Sequence, residues 1–220
     1  MLIDHWPLLG LRLATPRLEL RLPGDEELAA LADLAAEGIH PPDRMPFLIP
    51  WTDLPPAERA RSVVRHHWLR RGTWTPEDWV LNLAVLEDGR VVGLQTLAAR
   101  SFTELRQATT ASWLGVRHQG RGIGTEMRAA VLELAFAGLG AQEAVSGAFT
   151  DNDASMAVSR KLGYREDGID RTLSRGRPVT VRRLRLSRED WALRRSVAAG
   201  IEGLESCLGM FGLGAVDGAE

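Results

Sequence analysis

A glycine-rich segment, Gln119-Gly120-Arg121-Gly122-Ile123-Gly124, carries the strongest chemical signal in this sequence. It lies between an apolar stretch that predicts a strand and an amphipathic stretch that predicts a helix. Glycines allow a tight turn and a close approach between backbone and ligand. The free N–H groups and the dipole at a helix N-terminus favour an anion, and a pyrophosphate suits both. The segment therefore predicts a phosphate-binding loop, to which Arg121 can add a charge-assisted contact.

Two common phosphate-binding loops differ from this segment. A Walker A loop ends in Gly-Lys-Ser/Thr, which this loop lacks. A dinucleotide-binding fingerprint has the spacing G-x-G-x-x-G, and the run Gly120-Arg121-Gly122-Ile123-Gly124-Thr125 breaks it. A nucleotide-binding domain of either class is therefore disfavoured. The simpler alternative is a glycine-rich turn that only caps the following helix.

Three groups of residues together resemble the GNAT superfamily of N-acyltransferases. The loop matches the signature Gln/Arg-x-x-Gly-x-Gly/Ala, and Trp113-Leu114-Gly115-Val116 stands where the family has a splayed strand. Downstream, Asn152-Asp153-Ala154-Ser155 and then Leu162-Gly163-Tyr164 resemble the second signature, Asn-x-x-Ser/Ala followed by Leu-Gly-Phe/Tyr. Residues 15–21 are similar to the opening strand of the Rim-like branch, which includes ribosomal-protein N-terminal acetyltransferases. The resemblance covers residues 15–186 and is sharpest over 106–168.

The resemblance implies an acyl-CoA donor, either acetyl-CoA or succinyl-CoA, and no metal. The pyrophosphate would bind N–H groups of residues 119–125, and the pantetheine arm would follow the strand that ends at Val116. The thioester would enter between the strands 106–116 and 143–149, where a primary amine attacks it directly. A backbone N–H near Leu114 would stabilise the oxyanion. The implied donor-binding residues are Leu114, Val116, Gln119, Gly120, Arg121, Gly122, Ile123, Gly124, Thr125, Asn152 and Ser155.

The same resemblance gives two positions for a general acid. Many GNAT members have a Tyr seven residues after the motif Asn, where this chain has Ser159. In the Rim-like branch the Ser three residues after that Asn has been assigned the role. We therefore favour Ser155 as the catalytic residue. The alternative is that Ser155 only orders the helix start or the thioester.

The general base is not marked by the sequence. Rim-like relatives often carry a Glu at the position of Thr109, and residues 107–116 contain no carboxylate. Asp43, Asp53, Glu77 and Asp78 are candidates, as is a water-mediated route. His66 and His67 are adjacent on a predicted helix, and a packed or surface position suits each better than catalysis. The missing carboxylate keeps a second hypothesis open, a non-catalytic GNAT-like protein that senses acyl-CoA.

The order of predicted elements is β-α-α-β-β-β-α-β-α-β-β, with hairpins early and one strand–helix–strand unit in the middle. The strands are predicted at 15–22, 79–86, 91–98, 106–116, 143–149, from 163, and at 178–186. Helices are predicted at 25–37, 56–71, from 123, at 152–162 and at 188–197. This pattern predicts an α/β (α+β) fold, a mixed and mostly antiparallel sheet with helices on both faces.

The bulk composition narrows the class of protein. With 220 residues and a net charge of −2, the chain has one domain's length and no basic field for nucleic acid. One cysteine, Cys207, excludes an internal disulfide framework. We find no signal peptide and no apolar stretch long enough to span a membrane, which predicts a cytoplasmic protein. We expect one domain over 1–198 and a C-terminal tail over 199–220. The apolar tail and the tryptophans favour a homo-oligomer.

Overall fold

The computed structural model describes residues 1–195, 197 and 199–214. Its strands are β1 (Arg12–Ala14), β2 (Leu18–Arg21), β3 (Asp78–Glu87), β4 (Arg90–Arg100), β5 (Gln107–Leu114), β6 (Glu143–Phe149), β7 (Arg165–Ser174), β8 (Arg177–Ser187) and β9 (Gly200–Glu202). Its α-helices are α1 (Leu2–His5), α2 (Asp25–Glu37), α3 (Pro56–Gly72), α4 (Phe102–Leu105), α5 (Ile123–Glu133), α6 (Asp153–Lys161) and α7 (Arg188–Arg194). Short 3₁₀ turns cover Pro7–Gly10, Trp51–Asp53, Val116–His118 and Glu205–Phe211, and a π-helical turn, Leu134–Gly138, extends α5.

The strands form one sheet in the order β7-β8-β6-β5-β4-β3-β2-β1-β9. Every neighbouring pair is antiparallel except β5 and β6, which run parallel because α5 connects them. The predicted mixed, mostly antiparallel sheet with helices on both faces is confirmed. The two parallel strands are the third and fourth in this order, and the glycine-rich segment lies in the connection between them, directly before α5.

β3 shows how the two faces of the sheet are covered. Its alternate residues Leu81, Leu83 and Val85 belong to the large core that contains α5. Ala84 and Leu86 point the other way and pack with residues of α2 and α3. Because both faces are covered, residues 79–86 of this strand are all apolar except Asn82.

The first predicted strand differs from the structure. Residues 15–22 were expected to form one strand, and the chain instead makes β1, a turn over residues 15–17, and β2. The Thr15 amide and hydroxyl both bond the Leu18 carbonyl, which closes the turn at Pro16. The strand predicted over 106–116 ends at Leu114, because Gly115 leads into a 3₁₀ turn. Val116 therefore lies outside β5 and is exposed.

The C-terminal segment packs into the sheet and the core. Residues 200–202 pair with β1 as β9, and the 3₁₀ turn after them buries Cys207 and Phe211. The Phe211 ring lies 5.0 Å from the Trp79 ring centroid, and the Trp74 indole donates to the Met210 carbonyl at 2.8 Å. The predicted tail thus supplies a sheet edge and core residues. Ser196, Ala198 and residues 215–220 of the predicted helix end and tail lie outside the described residues.

The tryptophans contribute mainly to packing. Among the seven, Trp68 alone is exposed, and the rest are buried or half-buried. Their exposure was one reason to expect a homo-oligomer, which stays a prediction. None of the helices in the described residues is long and apolar enough to cross a membrane.

A buried histidine on α3 should make the stability of the fold depend on pH. Burial lowers the pKa of His67 to about 4, with neighbouring Arg71 and His66 adding repulsion. In the unfolded chain the pKa is about 6.5, so between these values the unfolded state binds a proton that the folded state does not. We expect the free energy of unfolding to fall by up to about 1.4 kcal/mol per pH unit as the pH drops from about 6.5 to 4. Urea titrations at several pH values in this range measure the free energy of unfolding. Its decrease with falling pH should be smaller for His67→Gln than for the wild type. An equal decrease would contradict the role of His67 in this pH dependence.

Candidate functional site

The parallel pairing of β5 and β6 stops early. Register pairs run only from Gln107↔Glu143 to Thr109↔Val145. Beyond that point β5 continues to Leu114 against β4, and β6 continues to Phe149 against β8. The last link is a side-chain bond, from the Ser146 hydroxyl to the Thr110 carbonyl at 3.3 Å. The two strands therefore part beyond this point, and we call the gap between their unpaired segments the opening.

The unpaired edge of β5 presents backbone groups to this opening. The Gly115 amide donates to the Val92 carbonyl of β4 at 3.0 Å, and hydrogen-bonding direction alternates along an antiparallel strand. The backbone groups of Leu114 and Ser112 consequently point away from β4, toward β6. Leu114, predicted to offer an N–H to the reacting carbonyl, is thus placed at the opening.

The glycine-rich segment forms a loop with free amides at the start of α5. Gly120 (φ +74°) and Gly122 (φ +83°) both adopt the left-handed conformation that favours glycine, and Gly122 is the N-cap of the helix. The Gly122 carbonyl accepts bonds from the amides of Thr125 and Glu126. The amides of residues 120–124 donate to no group within the described part of the chain. This is the geometry of an anion site at a helix N-terminus.

Gln119 fixes the loop to β5 through its side chain. Its amide nitrogen donates to the Leu114 carbonyl at 3.0 Å and to the Ile39 carbonyl at 2.8 Å. The side chain therefore holds the loop at the end of β5, next to the opening. A ligand at this position would meet the loop's backbone rather than the Gln119 side chain.

An arginine far away in the sequence also lies beside the loop. Arg17 donates to Glu126 from its Nε at 2.7 Å and to the Arg121 carbonyl from its Nη1 at 3.2 Å. The Arg121 guanidinium is itself paired with Glu87 at 2.9 Å. The cation predicted to meet a phosphate is thus already engaged, and Arg17 is a second cation at the same loop. Sequence reasoning missed Arg17, because nothing local in the sequence links it to Gly122.

The second motif forms the start of α6. The Asn152 side chain accepts the Ser155 amide at 3.1 Å, so Asn152 is the N-cap. The Ser159 hydroxyl donates to the Ser155 carbonyl at 3.0 Å. Ser155 and Ser159 share one face of the helix, since they are four residues apart. The Ser155 hydroxyl itself makes no hydrogen bond to any described residue.

Comparison with known proteins agrees with this geometry. The family model described as acetyltransferase (GNAT) domain matches residues 17–165. The chain belongs to the GNAT acetyltransferase family. The family predicted from the two motifs is therefore confirmed.

Solved structures of GNAT proteins share the fold. RimJ from Mycobacterium smegmatis, in complex with CoA-disulfide, is 19% identical with a TM-score of 0.63, over 83% of this chain and 89% of its own. RimL, a ribosomal L7/L12 alpha-N-protein acetyltransferase in complex with coenzyme A, is 19% identical with a TM-score of 0.62, over 79% and 95%. A spermidine N-acetyltransferase SpeG chimera from Vibrio cholerae and hSSAT is 16% identical with a TM-score of 0.62, over 81% and 99%.

This GNAT protein has a buried polar cluster beside the opening. The Arg128 guanidinium of α5 donates to the Ser159 hydroxyl at 3.0 Å and to the Ser112 hydroxyl at 3.4 Å. The Tyr164 hydroxyl lies 3.2 Å from the Thr110 hydroxyl. The cluster also includes Gln95, the partner of Ser112 across β4 and β5. We call these side chains the polar cluster; its members are Gln95, Thr110, Ser112, Arg128, Ser159 and Tyr164.

The side of β5 away from α5 is covered by the proline-rich loop over residues 38–55. A chain of ring contacts joins Phe47 to Trp51 at 5.4 Å and Trp51 to Trp113 of β5 at 6.1 Å. Asp53 and Arg175 form a two-bond ion pair that fastens the loop to the β7–β8 turn. The loop therefore lies over the face on which an acceptor would approach.

Of the four carboxylates considered as bases, Asp43 is exposed and makes no hydrogen bond to a described residue, while Asp53 and Asp78 are held in ion pairs. The hydrogen bond from Arg175 holds the pKa of Asp53 below its usual value, which makes it a weaker base. Asp78 is paired with Arg100 at 3.0 Å, at the opposite end of β3 and β4 from the opening. Glu77 precedes Asp78 and lies at that same distant end. A side-chain base is not supplied by Asp53, Glu77 or Asp78.

An added methyl group should have different effects at the two loop glycines Gly122 and Gly124. Gly122→Ala would force alanine to φ +83°, whereas a methyl at Gly124 would meet Val158 and Leu114 at 3.7 and 3.8 Å, an ordinary contact distance. Holding alanine in the left-handed conformation costs about 1–2 kcal/mol, so the loop is expected to relax and its amides to turn away from the ligand. An energy of this size corresponds to about a tenfold change in affinity, and we expect Gly122→Ala to weaken CoA binding by at least about that factor. Gly124→Ala, the matched control, should bind CoA as the wild type does. Isothermal titration of CoA checks both, and equal losses would contradict the role of the left-handed turn.

Proposed function

We propose that this GNAT protein transfers the acyl group of acetyl-CoA or succinyl-CoA to a primary amine by direct attack. One observation carries the proposal. The free amides of residues 120–124 lie at one end of an unpaired strand edge that finishes at Leu114. An anion site and a strand edge in this arrangement suit a long donor with a pyrophosphate at one end and a thioester at the other.

On the donor side, the loop amides hold the pyrophosphate, and Arg17 and Arg121 lie beside the loop, each paired with a carboxylate. The pantetheine amides pair with the free backbone of β5, in the manner of an added strand. This brings the thioester carbonyl into the opening between β5 and β6, near the Leu114 amide. That amide stabilises the oxyanion that forms when the amine attacks.

On the acceptor side, the amine reaches the thioester from the face covered by residues 38–55. The nitrogen must be neutral to attack, and it must lose a proton during the reaction. We propose that water accepts this proton, because Asp53 and Asp78 are held in ion pairs. Most of the acceleration then comes from holding the two reactants in the correct orientation.

Donor and acceptor are tested in two steps. Thermal shift with acetyl-CoA, succinyl-CoA, CoA, NADH and ATP comes first, since a ligand at about 100 times its Kd stabilises by about 2.7 kcal/mol. Turnover is then followed as released CoA thiol with a peptide N-terminus, a lysine side chain and a polyamine as acceptors. The protein adds little background, because burial raises the pKa of Cys207 to about 11. A shift with CoA compounds and turnover with an amine support the proposal. Binding without turnover would favour the sensor, and a shift only with NADH or ATP would refute both.

Ser155 is proposed as the acid that protonates the leaving thiolate. We expect Ser155→Ala to lower kcat by about 10²-fold, in the range typical of positioned proton transfer, with little change in donor affinity. Ser62→Ala is a matched control, since Ser62 lies on α3 and its hydroxyl bonds the Arg59 carbonyl of the same helix. Steady-state kinetics measures kcat, and a titration with CoA measures the donor affinity, so the two effects are separated. Lost affinity with unchanged kcat would assign Ser155 to positioning.

A further inference from the structure

Arg128 is a buried cation without a negatively charged partner among the described residues. Its residue surface is 4% exposed, and both of its terminal nitrogens bond neutral hydroxyls. Its Nε has no hydrogen-bond partner in the described chain. The two other buried charges of α5 differ, since Glu126 is paired with Arg17 and Glu133 with Arg195. Burying a guanidinium with no counter-charge is costly, so an anion that arrives later would be stabilised there.

The neighbours of Arg128 do not supply this anion. Tyr164 is the nearest ionisable group, and burial raises the pKa of its hydroxyl, so it is neutral at ordinary pH. Gln95 and the serine hydroxyls carry no charge. A guanidinium keeps its proton under these conditions even though burial lowers its pKa. The polar cluster therefore holds one net positive charge.

The position of this charge indicates which anion it meets. Ser112 lies on β5 beyond the last residue paired with β6, beside the opening. Ser159 lies on α6 one turn after Ser155, the acid proposed above for the leaving sulfur, and its hydroxyl donates to the Ser155 carbonyl at 3.0 Å. The Arg128 guanidinium bonds Ser112 and Ser159, and so spans from the unpaired strand edge to the helix turn that carries Ser155. The phosphates are held elsewhere, at the loop.

We propose that Arg128 stabilises the thiolate of CoA as it leaves, a role that rests on the proposed transfer reaction. The amine lone pair attacks the thioester carbonyl carbon and forms the C–N bond. When the tetrahedral intermediate collapses, the C–S bond breaks and its electron pair moves to sulfur. The guanidinium faces this negative charge, while the nitrogen loses its proton to water. The thiolate takes a proton, from Ser155 or from solvent, before CoA leaves.

This role predicts an altered acidity of bound CoA. A nearby fixed cation lowers the pKa of a thiol, because it favours the thiolate. We expect the thiol of CoA bound to the wild-type protein to titrate about one unit or more below free CoA. Ultraviolet absorbance of the thiolate against pH measures this directly, without any acceptor amine. Arg128→Gln should abolish the shift, and Arg128→Lys, which keeps the charge, should retain part of it.

Kinetics and controls separate this role from a structural one. We expect Arg128→Gln to lower kcat by about 10²-fold, in the range found when one charge-stabilising group is removed, with KM for the donor little changed. CoA lacking the sulfhydryl group should bind wild type and Arg128→Gln equally, which shows that the variant is folded. A higher kcat in Arg128→Lys than in Arg128→Gln would further indicate that the positive charge at this position is required.

Three results would overturn the proposal. The first is an unshifted thiol pKa in the wild-type complex, which needs no variant and leaves the transfer reaction standing. The second is a shift that persists in Arg128→Gln. The third is a loss confined to succinyl-CoA relative to acetyl-CoA, which would assign the guanidinium to an acyl carboxylate. Failure of CoA to bind wild type at all would refute the transfer reaction and, with it, this role.

Discussion

The parallel pairing of β5 and β6 ends after Thr109 and Val145, and the rest of the site depends on this interruption. Beyond that point each strand remains paired on its outer side, β5 to β4 and β6 to β8, so the sheet stays continuous. On the inner side, side chains satisfy the Thr110 and Leu114 carbonyls. The Ser112 backbone groups and the Leu114 amide have no partner among the described residues, which a fold avoids unless something else satisfies them. An extended ligand with amide groups can do so, and we propose that the opening selects a donor of this shape.

The loop proposed to bind the other end of such a donor is held from two sides. Gln119 ties it to the end of β5 and to the Ile39 carbonyl. Arg17 ties it to the first turn of α5 through Glu126. With its edges fixed, the loop keeps its amides oriented before any ligand arrives, and little ordering entropy is then lost on binding. The side chains around the loop thus prepare it, and the backbone provides the contacts.

Helix α5 is unusual because it buries charged side chains. It lies between the sheet and other elements, so even its charged residues Glu126, Arg128 and Glu133 are buried. Two of the three are compensated by arginines. The uncompensated Arg128 belongs to the polar cluster at the opening, where we propose that the acyl transfer takes place. Charge left unmatched next to a reaction site lowers fold stability but is available to a charge that develops during turnover.

The sequence alone determined the family, the position of the glycine-rich loop and, apart from the short α4, the order of the elements from α2 to α7. These features are local: the glycine spacing, the N-cap at Asn152 and the alternation of strands are fixed by neighbouring residues and by backbone geometry. The extent of α2 and β6 could be predicted for the same reason. Two roles were inferred from the resemblance and stay predictions: Ser155 as the general acid, and the Leu114 N–H as the donor to the oxyanion.

Only the tertiary structure decided which distant residues meet at the site. Arg17 and Glu126 are separated by 109 positions, and no local pattern reveals their pairing. In the sequence, Arg128 cannot be distinguished from an exposed polar residue of a helix. Its burial against Ser112 and Ser159 is visible only in the structure. Residues 200–211 looked like a tail because glycine and short apolar runs have weak local preferences, yet they complete the sheet edge and bury Phe211. Burial and charge balance are properties of the whole packed chain, which is why the sequence could locate the site but not its electrostatics.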